Sequence, residues 1–317
     1  MSEAGSGAVS DAVTKVEQEL AKFWSTPDTS TGVPVLKVRA STMNFVAIAA
    51  QADVGAVAEA TAELAESRAG RVFVLSLDGR LAPWEVATNV ATTCTRSGDD
   101  VVCHDRVELG FGAVAAARAA SVVSALALSE VPTIVEVGRG APPQLVDAVL
   151  KLADRVVVDG AHTPIARLAD IASRAPAPIA DRAMVRSFSM RELVARFVDA
   201  APEAANTVGA VTIRRAPGGP SDGAAAVLGW LGSRLGWTWR SRVEAGDASG
   251  GTVTITVVDD AREGLSPGDL VGVELTAKVD GEELRCACIR EADARTVRWT
   301  MTGARTASHA RALGFRD

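Results

Sequence analysis

Apolar residues recur along this chain with two periods, and the switches between them mark out its elements. Val9, Val13, Val16, Leu20 and Phe23 fall three and four apart, which puts their side chains on one helical face. They predict an amphipathic helix over about 9–24, with Ser10 and Asp11 placed to cap it. A polar turn over Pro27 to Gly32 follows. Val33 to Val38 and Asn44 to Ala49 read as strands, a helix covers about Val54 to Ser67, and Gly70 ends it. Arg71-Val-Phe-Val-Leu-Ser-Leu77 reads as a buried strand by its length and branched residues. This βαβ succession favours a parallel sheet with a right-handed crossover.

The alternation continues. Glu85 to Thr95 and Val101 to Leu109 read as two strands around a short polar turn, and a helix spans about Ala113 to Ser129. Strand Pro132 to Val137, helix Pro143 to Leu152, strand Arg155 to Asp159 and helix Pro164 to Ser173 come next. Strands alternating with helices in this way indicate a doubly wound α/β layer. Two prolines in Arg174-Ala-Pro-Ala-Pro-Ile-Ala180 resist helix and central strand alike, so this stretch reads as a linker. The expected organisation is an α/β domain over 1–180 and a smaller α+β domain over 181–317.

In the second part, helix Met190 to Asp199, strand Val208 to Arg214, a Pro-Gly-Gly-Pro turn and helix Asp222 to Leu235 precede a run of strands. These are Trp237 to Val243, Thr252 to Val258, Leu270 to Lys278, Glu283 to Arg290 and Val297 to Thr302, with a short helix over Thr306 to Leu313 at the end. Asp280-Gly281 is a strong signal for a two-residue hairpin turn. Centred there, Lys278 faces Glu283, Thr276 faces Arg285, Leu275 faces Cys286 and Val273 faces Cys288. Cys286 and Cys288 then fall on the apolar face as ordinary core filling.

Composition narrows the function classes. Of 317 residues, 48% are hydrophobic and 23% charged, which suits a globular protein with real cores. The net charge of −6, with no run of Lys and Arg, argues against a nucleic-acid or anionic-membrane partner. No stretch approaches the roughly 20 apolar residues a membrane helix needs; Ala113 to Leu128 comes nearest and contains Arg118. The opening Met1-Ser-Glu-Ala-Gly-Ser-Gly is not a signal peptide. Four cysteines form no disulfide framework, so a reducing cytoplasm is expected.

Candidate chemistry is sparse. Gly110-Phe-Gly112-Ala-Val-Ala115 fits the dinucleotide pattern G-x-G-x-x-A between a strand and a helix, with Glu136 on the next strand as a ribose-binding acid. The strand before it, His104-Asp-Arg-Val-Glu-Leu, alternates charged and apolar residues, unlike a doubly buried strand. His104 and Asp105 point to opposite faces and cannot act as a pair. His162 lies in a loop before a helix, and His309 in the final helix. No P-loop, HExxH or G-x-S-x-G is present, and no metal-ligand spacing. No catalytic residue, cofactor or metal is therefore assigned. Two features point to interaction or regulation instead. Trp237 and Trp239 alternate on one strand, as core or as an interface patch, in a chain with six Trp and no Tyr. A two-residue turn at Gly98-Asp99 would set Cys94 opposite Cys103, roughly 4.5–5.5 Å apart, close enough for a disulfide and so a candidate redox pair; the alternative is two reduced cysteines packed as small hydrophobes.

Several segments in their order resemble the OpcA family, the glucose-6-phosphate dehydrogenase assembly proteins. These are Val16-Glu-Gln-Glu-Leu-Ala-Lys-Phe-Trp24, Arg39-Ala-Ser-Thr-Met-Asn-Phe-Val-Ala-Ile48, Gly70-Arg-Val-Phe-Val-Leu75 and Cys103-His-Asp-Arg-Val-Glu-Leu109. Ser129-Glu-Val-Pro-Thr133, Ala153-Asp-Arg-Val-Val-Val-Asp-Gly160 and Leu228-Gly-Trp-Leu-Gly-Ser-Arg-Leu-Gly-Trp237 complete the set. The resemblance covers about residues 10–300. It departs at Val135-Glu136, where family members carry paired tryptophans. It implies a cytoplasmic, non-catalytic partner that binds glucose-6-phosphate dehydrogenase and promotes its active oligomer at the entry of the oxidative pentose phosphate pathway. It transfers no catalytic residue, and some members are redox-responsive cysteine proteins. The alternatives are a nicotinamide-dependent oxidoreductase, or a small-molecule-binding regulator, using the Gly110–Gly112 loop.

Overall fold

The computed structural model describes residues 3–26, 37–39, 42–67, 70–97, 100–160, 162–218, 222–292, 296–303 and 306–314. The turn over Pro27 to Gly32, most of the strand over Val33 to Val38 and the hairpin tip Gly98-Asp99 lie outside the described residues. The chain forms two compact units, Met1–Val158 with Ala169–Ala180, and Asp159–Leu168 with Asp181–Asp317.

The first unit begins with α1 (Glu3–Ser25), whose four-residue spacing buries Ala12, Val16 and Leu20. Then come β1 (Lys37–Arg39), β2 (Asn44–Ile48), α2 (Val54–Ser67), β3 (Arg71–Leu77), β4 (Val86–Ser97) and β5 (Asp100–Phe111). They are followed by α3 (Ala119–Leu126), β6 (Thr133–Val137), α4 (Pro143–Val149), β7 (Arg155–Val158), α5 (Ile165–Arg174) and β8 (Ile179–Asp181). The sheet order is β1-β5-β3-β2-β6-β7-β8, with β4 paired to β5. Every residue of β2 is buried, and β2 runs parallel to both β3 and β6, as expected of a central strand covered on both faces. α2 packs Ala58 onto Phe45, Ala47, Val72 and Val74. The chain builds outward from β2 to β3 and β5, then returns to place β6 on the other side. This is the doubly wound order.

Two expectations change here. The long helix over 113–129 is a 3-10 turn (Ala115–Arg118) followed by α3, because its opening N–H groups are taken by the carbonyls of a neighbouring loop, described below. The linker contains a strand: β8 is the last of the sheet, and the Pro178 carbonyl just before it accepts from Val156 N–H at 3.0 Å. Accepting costs proline nothing, since it lacks only the donor.

The second unit holds α6 (Arg182–Arg186), α7 (Phe188–Ala200), β9 (Val208–Arg215), α8 (Asp222–Leu235), β10 (Thr238–Trp239), β11 (Glu244–Gly246) and β12 (Thr252–Asp259). β13 (Leu270–Val279), β14 (Glu282–Arg290), β15 (Thr296–Gly303) and β16 (Thr306–Gly314) complete it. The sheet order is β10-β11-β12-β9-β13-β14-β15-β16. Strand alternation turns Val211, Ile213, Val273, Leu275, Cys286 and Cys288 into one core with Leu193 and Phe197 of α7 and Val227 and Leu231 of α8.

The β13–β14 hairpin has the register read from Asp280-Gly281, including Lys278 opposite Glu283, Leu275 opposite Cys286 and Val273 opposite Cys288. Both turn residues are left-handed, Asp280 at φ 52° and Gly281 at φ 82°, as a tight hairpin requires. The strand expected over Trp237 to Val243 is instead two short strands, β10 and β11. The N–H groups of Arg240 and Ser241 both donate to the Glu244 carbonyl and turn the chain between them. The final segment is a strand, not a helix: β16 pairs antiparallel with β15 from Thr296 opposite Gly314 to Gly303 opposite Thr306. An open strand edge beside a segment of middling propensity overrides local preference.

Candidate functional site

In an open α/β sheet, ligands bind beyond the carboxyl ends of the strands where the order reverses. Here that point lies between β2 and β6. A dinucleotide site would need a glycine turn directly after β2, a helix N-terminus free to receive the pyrophosphate, and an acid at the end of β3 for the ribose. The turn after β2 is Ala49-Ala50-Gln51-Ala52-Asp53, with no glycine, wound into a 3-10 turn over Gln51–Asp53. Asp53 places an exposed carboxylate at the start of α2, where it would repel a phosphate. The loop after β6 closes against β2. Gly138 N–H donates to the Ile48 carbonyl at 2.9 Å, and a Cβ on Gly138 would stand 2.7 Å from that oxygen.

Asp78 follows the last residue of β3, at the position of a ribose acid. Its carboxylate is already engaged by Arg80, with Nε at 2.9 Å, Nη2 at 2.7 Å and the Arg80 backbone N–H at 2.9 Å. The Arg80 side-chain hydrogen bonds hold its carboxyl down at about 2. The residues at this crevice do not fit a dinucleotide. Asp53 and Asp78 were not singled out in the sequence, although an acid directly after each apolar strand and its turn was a legible signal.

The Gly110–Gly112 loop lies elsewhere. It ends β5, and Glu136 is on β6; β3 and β2 stand between them, so about 14 Å of sheet separates the two strands. The loop's donors are occupied. Gly112 N–H donates to the Glu85 carbonyl, and Val114 and Ala115 N–H donate to Pro83, each at 2.9 Å. A Cβ on Gly112 would meet the Ala82 carbonyl oxygen at 2.1 Å, so the glycine serves backbone packing of the 82–85 loop. Among the described residues, no group of three or more His, Cys, Asp or Glu side chains is placed to hold a metal. His104 is buried in β5, His162 is half-buried in its turn, and His309 lies in β16.

Cys94 and Cys103 stand opposite each other in the β4–β5 ladder, 4.0 Å apart at Cα, joined by a disulfide. Cys103 is buried and Cys94 exposed. Two residues along the same face, Asp105 is buried and ties the hairpin to its surroundings. It accepts from Arg71 Nη2 at 3.0 Å in an ion pair and from Trp24 Nε1 of α1 at 3.0 Å. Arg71 also donates to the Leu126 carbonyl at the end of α3. The disulfide thus adjoins a polar cluster that links α1, α3, β3 and β5.

Trp237 and Trp239 do not form a common surface patch. Trp237 is buried in the second core, because the chain has not yet entered β10 when it passes α8. Trp239 remains 46% exposed, with its indole over Gly232 of α8 and edge-on to Trp237, ring centroids 6.4 Å apart.

Residues 61–174 match the family described as glucose-6-phosphate dehydrogenase subunit N-terminal domain, and residues 177–311 match its C-terminal domain. No curated protein matches the sequence. Among solved structures, an oxidoreductase from Sinorhizobium meliloti is similar at 12% identity and TM-score 0.48, over 87% of this chain and 78% of that one. Biliverdin reductase from Synechocystis sp. PCC 6803, solved with biliverdin and NADP+, is similar at 10% identity and TM-score 0.41, over 87% and 85%. No helix among the described residues is long and apolar enough to cross a membrane.

Proposed function

Because the chain belongs to the OpcA family of glucose-6-phosphate dehydrogenase subunit proteins, we propose that it acts in the cytoplasm as a non-catalytic partner of that dehydrogenase, binding it and promoting its active oligomer. The observation that carries this reading is the pair of family matches over 61–174 and 177–311. The crevice supports the same reading: Asp53 at the start of α2 and the Arg80-bound Asp78 leave poor ground for a nicotinamide cofactor. A steady-state assay of the host's dehydrogenase with and without the full chain tests the proposal. Activity or oligomer size should rise on addition, and the chain alone should reduce no nicotinamide cofactor. Unchanged activity, affinity and oligomer size would remove the reading. A thermal-shift screen with nucleotides and sugar phosphates tests the small-molecule alternative, since a ligand that binds only the folded chain raises its midpoint.

The cysteine hairpin supplies a candidate control on that activity. Reduction of Cys94–Cys103 to two thiols consumes two electrons and two protons from a dithiol reductant. It frees a hairpin that shares a face with Asp105 and its bond to α1. Oxidant sensitivity of dehydrogenase activation should therefore disappear in a Cys94→Ser, Cys103→Ser protein. If that protein responds to oxidant as the parent does, the hairpin is a structural cross-link and no switch.

A further inference from the structure

In the second unit many arginines are neutralised. Arg186, Arg196, Arg214, Arg215, Arg240, Arg262, Arg285 and Arg298 each contact a carboxylate. Arg191 and Arg234, like the exposed Arg242, have no carboxylate partner among the described residues. The positions of Arg191 and Arg234 are also specific. The Arg191 guanidinium is held by the preceding turn, with Nη2 donating to the Met184 carbonyl at 2.8 Å and Nε to Ser187 Oγ at 3.3 Å. It lies over two rings, 5.9 Å from the Phe188 centroid and 5.4 Å from that of Trp230. Arg234 stands four residues after Trp230, on the same face of α8. Burial and then the charge of Arg234 disfavour the protonated form of Arg191, so the two cations are felt by one another.

Apolar side chains flank this pair. Phe188 is 59% exposed and Val185, three residues before it, is 70% exposed. A small anion could answer the two charges but would leave both side chains in water. A protein surface carrying a carboxylate covers everything at once, and buried Arg and Trp at the centre of a patch are the residue types that dominate binding energy.

We propose that Arg191 and Arg234, with Phe188, Val185 and Trp230, form the face on which this protein docks an acidic segment of its protein partner. A partner Asp or Glu lies between the guanidiniums, and a neighbouring apolar residue covers Phe188. The inference rests on the partner reading above and names its surface. Attraction to exposed cations is screened by salt, so affinity should fall as ionic strength rises.

The test measures binding of the full chain to the host's glucose-6-phosphate dehydrogenase, by surface plasmon resonance, for the parent, Arg234→Glu, Phe188→Ser and Lys278→Glu. Lys278 is an exposed cation on β13 and controls for net charge. Arg234→Glu should weaken binding at least about tenfold and Phe188→Ser about fivefold, with Lys278→Glu within about twofold. Circular dichroism of each variant checks folding. If Arg234→Glu fails to fold, Phe188→Ser alone decides, because an exposed ring contributes little to the core. Parent binding with both variants within about twofold of it overturns this face and leaves the partner reading standing. Equal weakening by Lys278→Glu overturns it too, as a general charge effect. Absence of parent binding removes the partner reading and this one with it. Saturable binding of inorganic phosphate to the isolated chain, lost in Arg234→Glu, would replace the protein partner with a small anion.

Discussion

Two hairpins of this chain each carry two cysteines, and the pairs have opposite fates. On β4–β5, Cys94 and Cys103 are nine residues apart and joined, because the register puts them directly across the ladder. On β13–β14, Cys286 and Cys288 are two residues apart on one strand, with sulfurs 3.9 Å from each other, and both remain free and buried. Side chains two apart on a strand project side by side, whereas opposed side chains on paired strands share one spot of the face. Closeness in sequence therefore says less about cysteine pairing than register does. Burial completes the contrast. The Cys288 thiol is pushed far up by its contact with Cys286 and by desolvation, so it stays protonated. Cys94 faces solvent.

The strongest way to break the comparison is to place a charge on each hairpin. Cys288→Asp buries an uncompensated carboxylate and should cost about 3–5 kcal/mol in urea unfolding. Cys94→Asp, measured against the parent in reductant, should stay within about 0.5 kcal/mol. Similar losses at both sites would mean that Cys94 is as enclosed as Cys288. Next in size is the cross-link itself. A loop this short should contribute about 2–3 kcal/mol through the unfolded chain, so dithiothreitol should destabilise the parent by that amount and leave Cys94→Ser, Cys103→Ser unchanged. Equal effects of reductant on both proteins would place the bond's contribution elsewhere.

A smaller effect is expected at the tip of the second hairpin. Gly281 sits at φ 82°, so Gly281→Ala should lower stability by about 1–2 kcal/mol without altering m. A neutral result would show that the turn relaxes without a left-handed residue. The smallest effect lies outside both hairpins. Asp78 has a folded-state pKa near 2, below its ordinary 3.8. A depressed carboxyl stabilises above the unfolded value, and its contribution is lost as pH falls through the folded one. The stability advantage of the parent over Asp78→Asn should thus be constant at neutral pH and vanish between about pH 4 and pH 2. Arg80 is largely in solvent, which keeps the advantage small. A difference that persists at pH 2 would assign it to packing.

Much of the fold was legible because its signals are local. The three- and four-residue spacing of Val9, Val13, Val16, Leu20 and Phe23 marks α1, and the length and branched residues of Arg71 to Leu77 mark β3 as a buried strand. Asp280-Gly281 sets its whole hairpin, since a two-residue turn leaves one register. The candidate site was less legible. A G-x-G beside a helix reads the same whether its N–H groups await a phosphate or, as at Gly112 and Ala115, already serve Glu85 and Pro83. Trp237 and Trp239 read as a pair because alternation assumes a strand that had not yet begun at Trp237.

The sequence by itself determined most of the alternation of helices and strands and the two-residue turn that aligns Cys286 and Cys288 with the core. Only the tertiary structure decided which strands became neighbours. β6 returned to β2 rather than to β5, which parted Glu136 from Gly110 by two strands. β16 extended along β15 in place of a helix, and β8 joined the sheet from a proline-rich stretch. It also decided that Arg191 and Arg234, 43 residues apart in sequence, come together around Trp230 on α7 and α8 with no carboxylate partner among the described residues. Local pattern reports what a segment can bury; the partner it buries against depends on closing loops across the chain, and only the assembled core chooses among those closures.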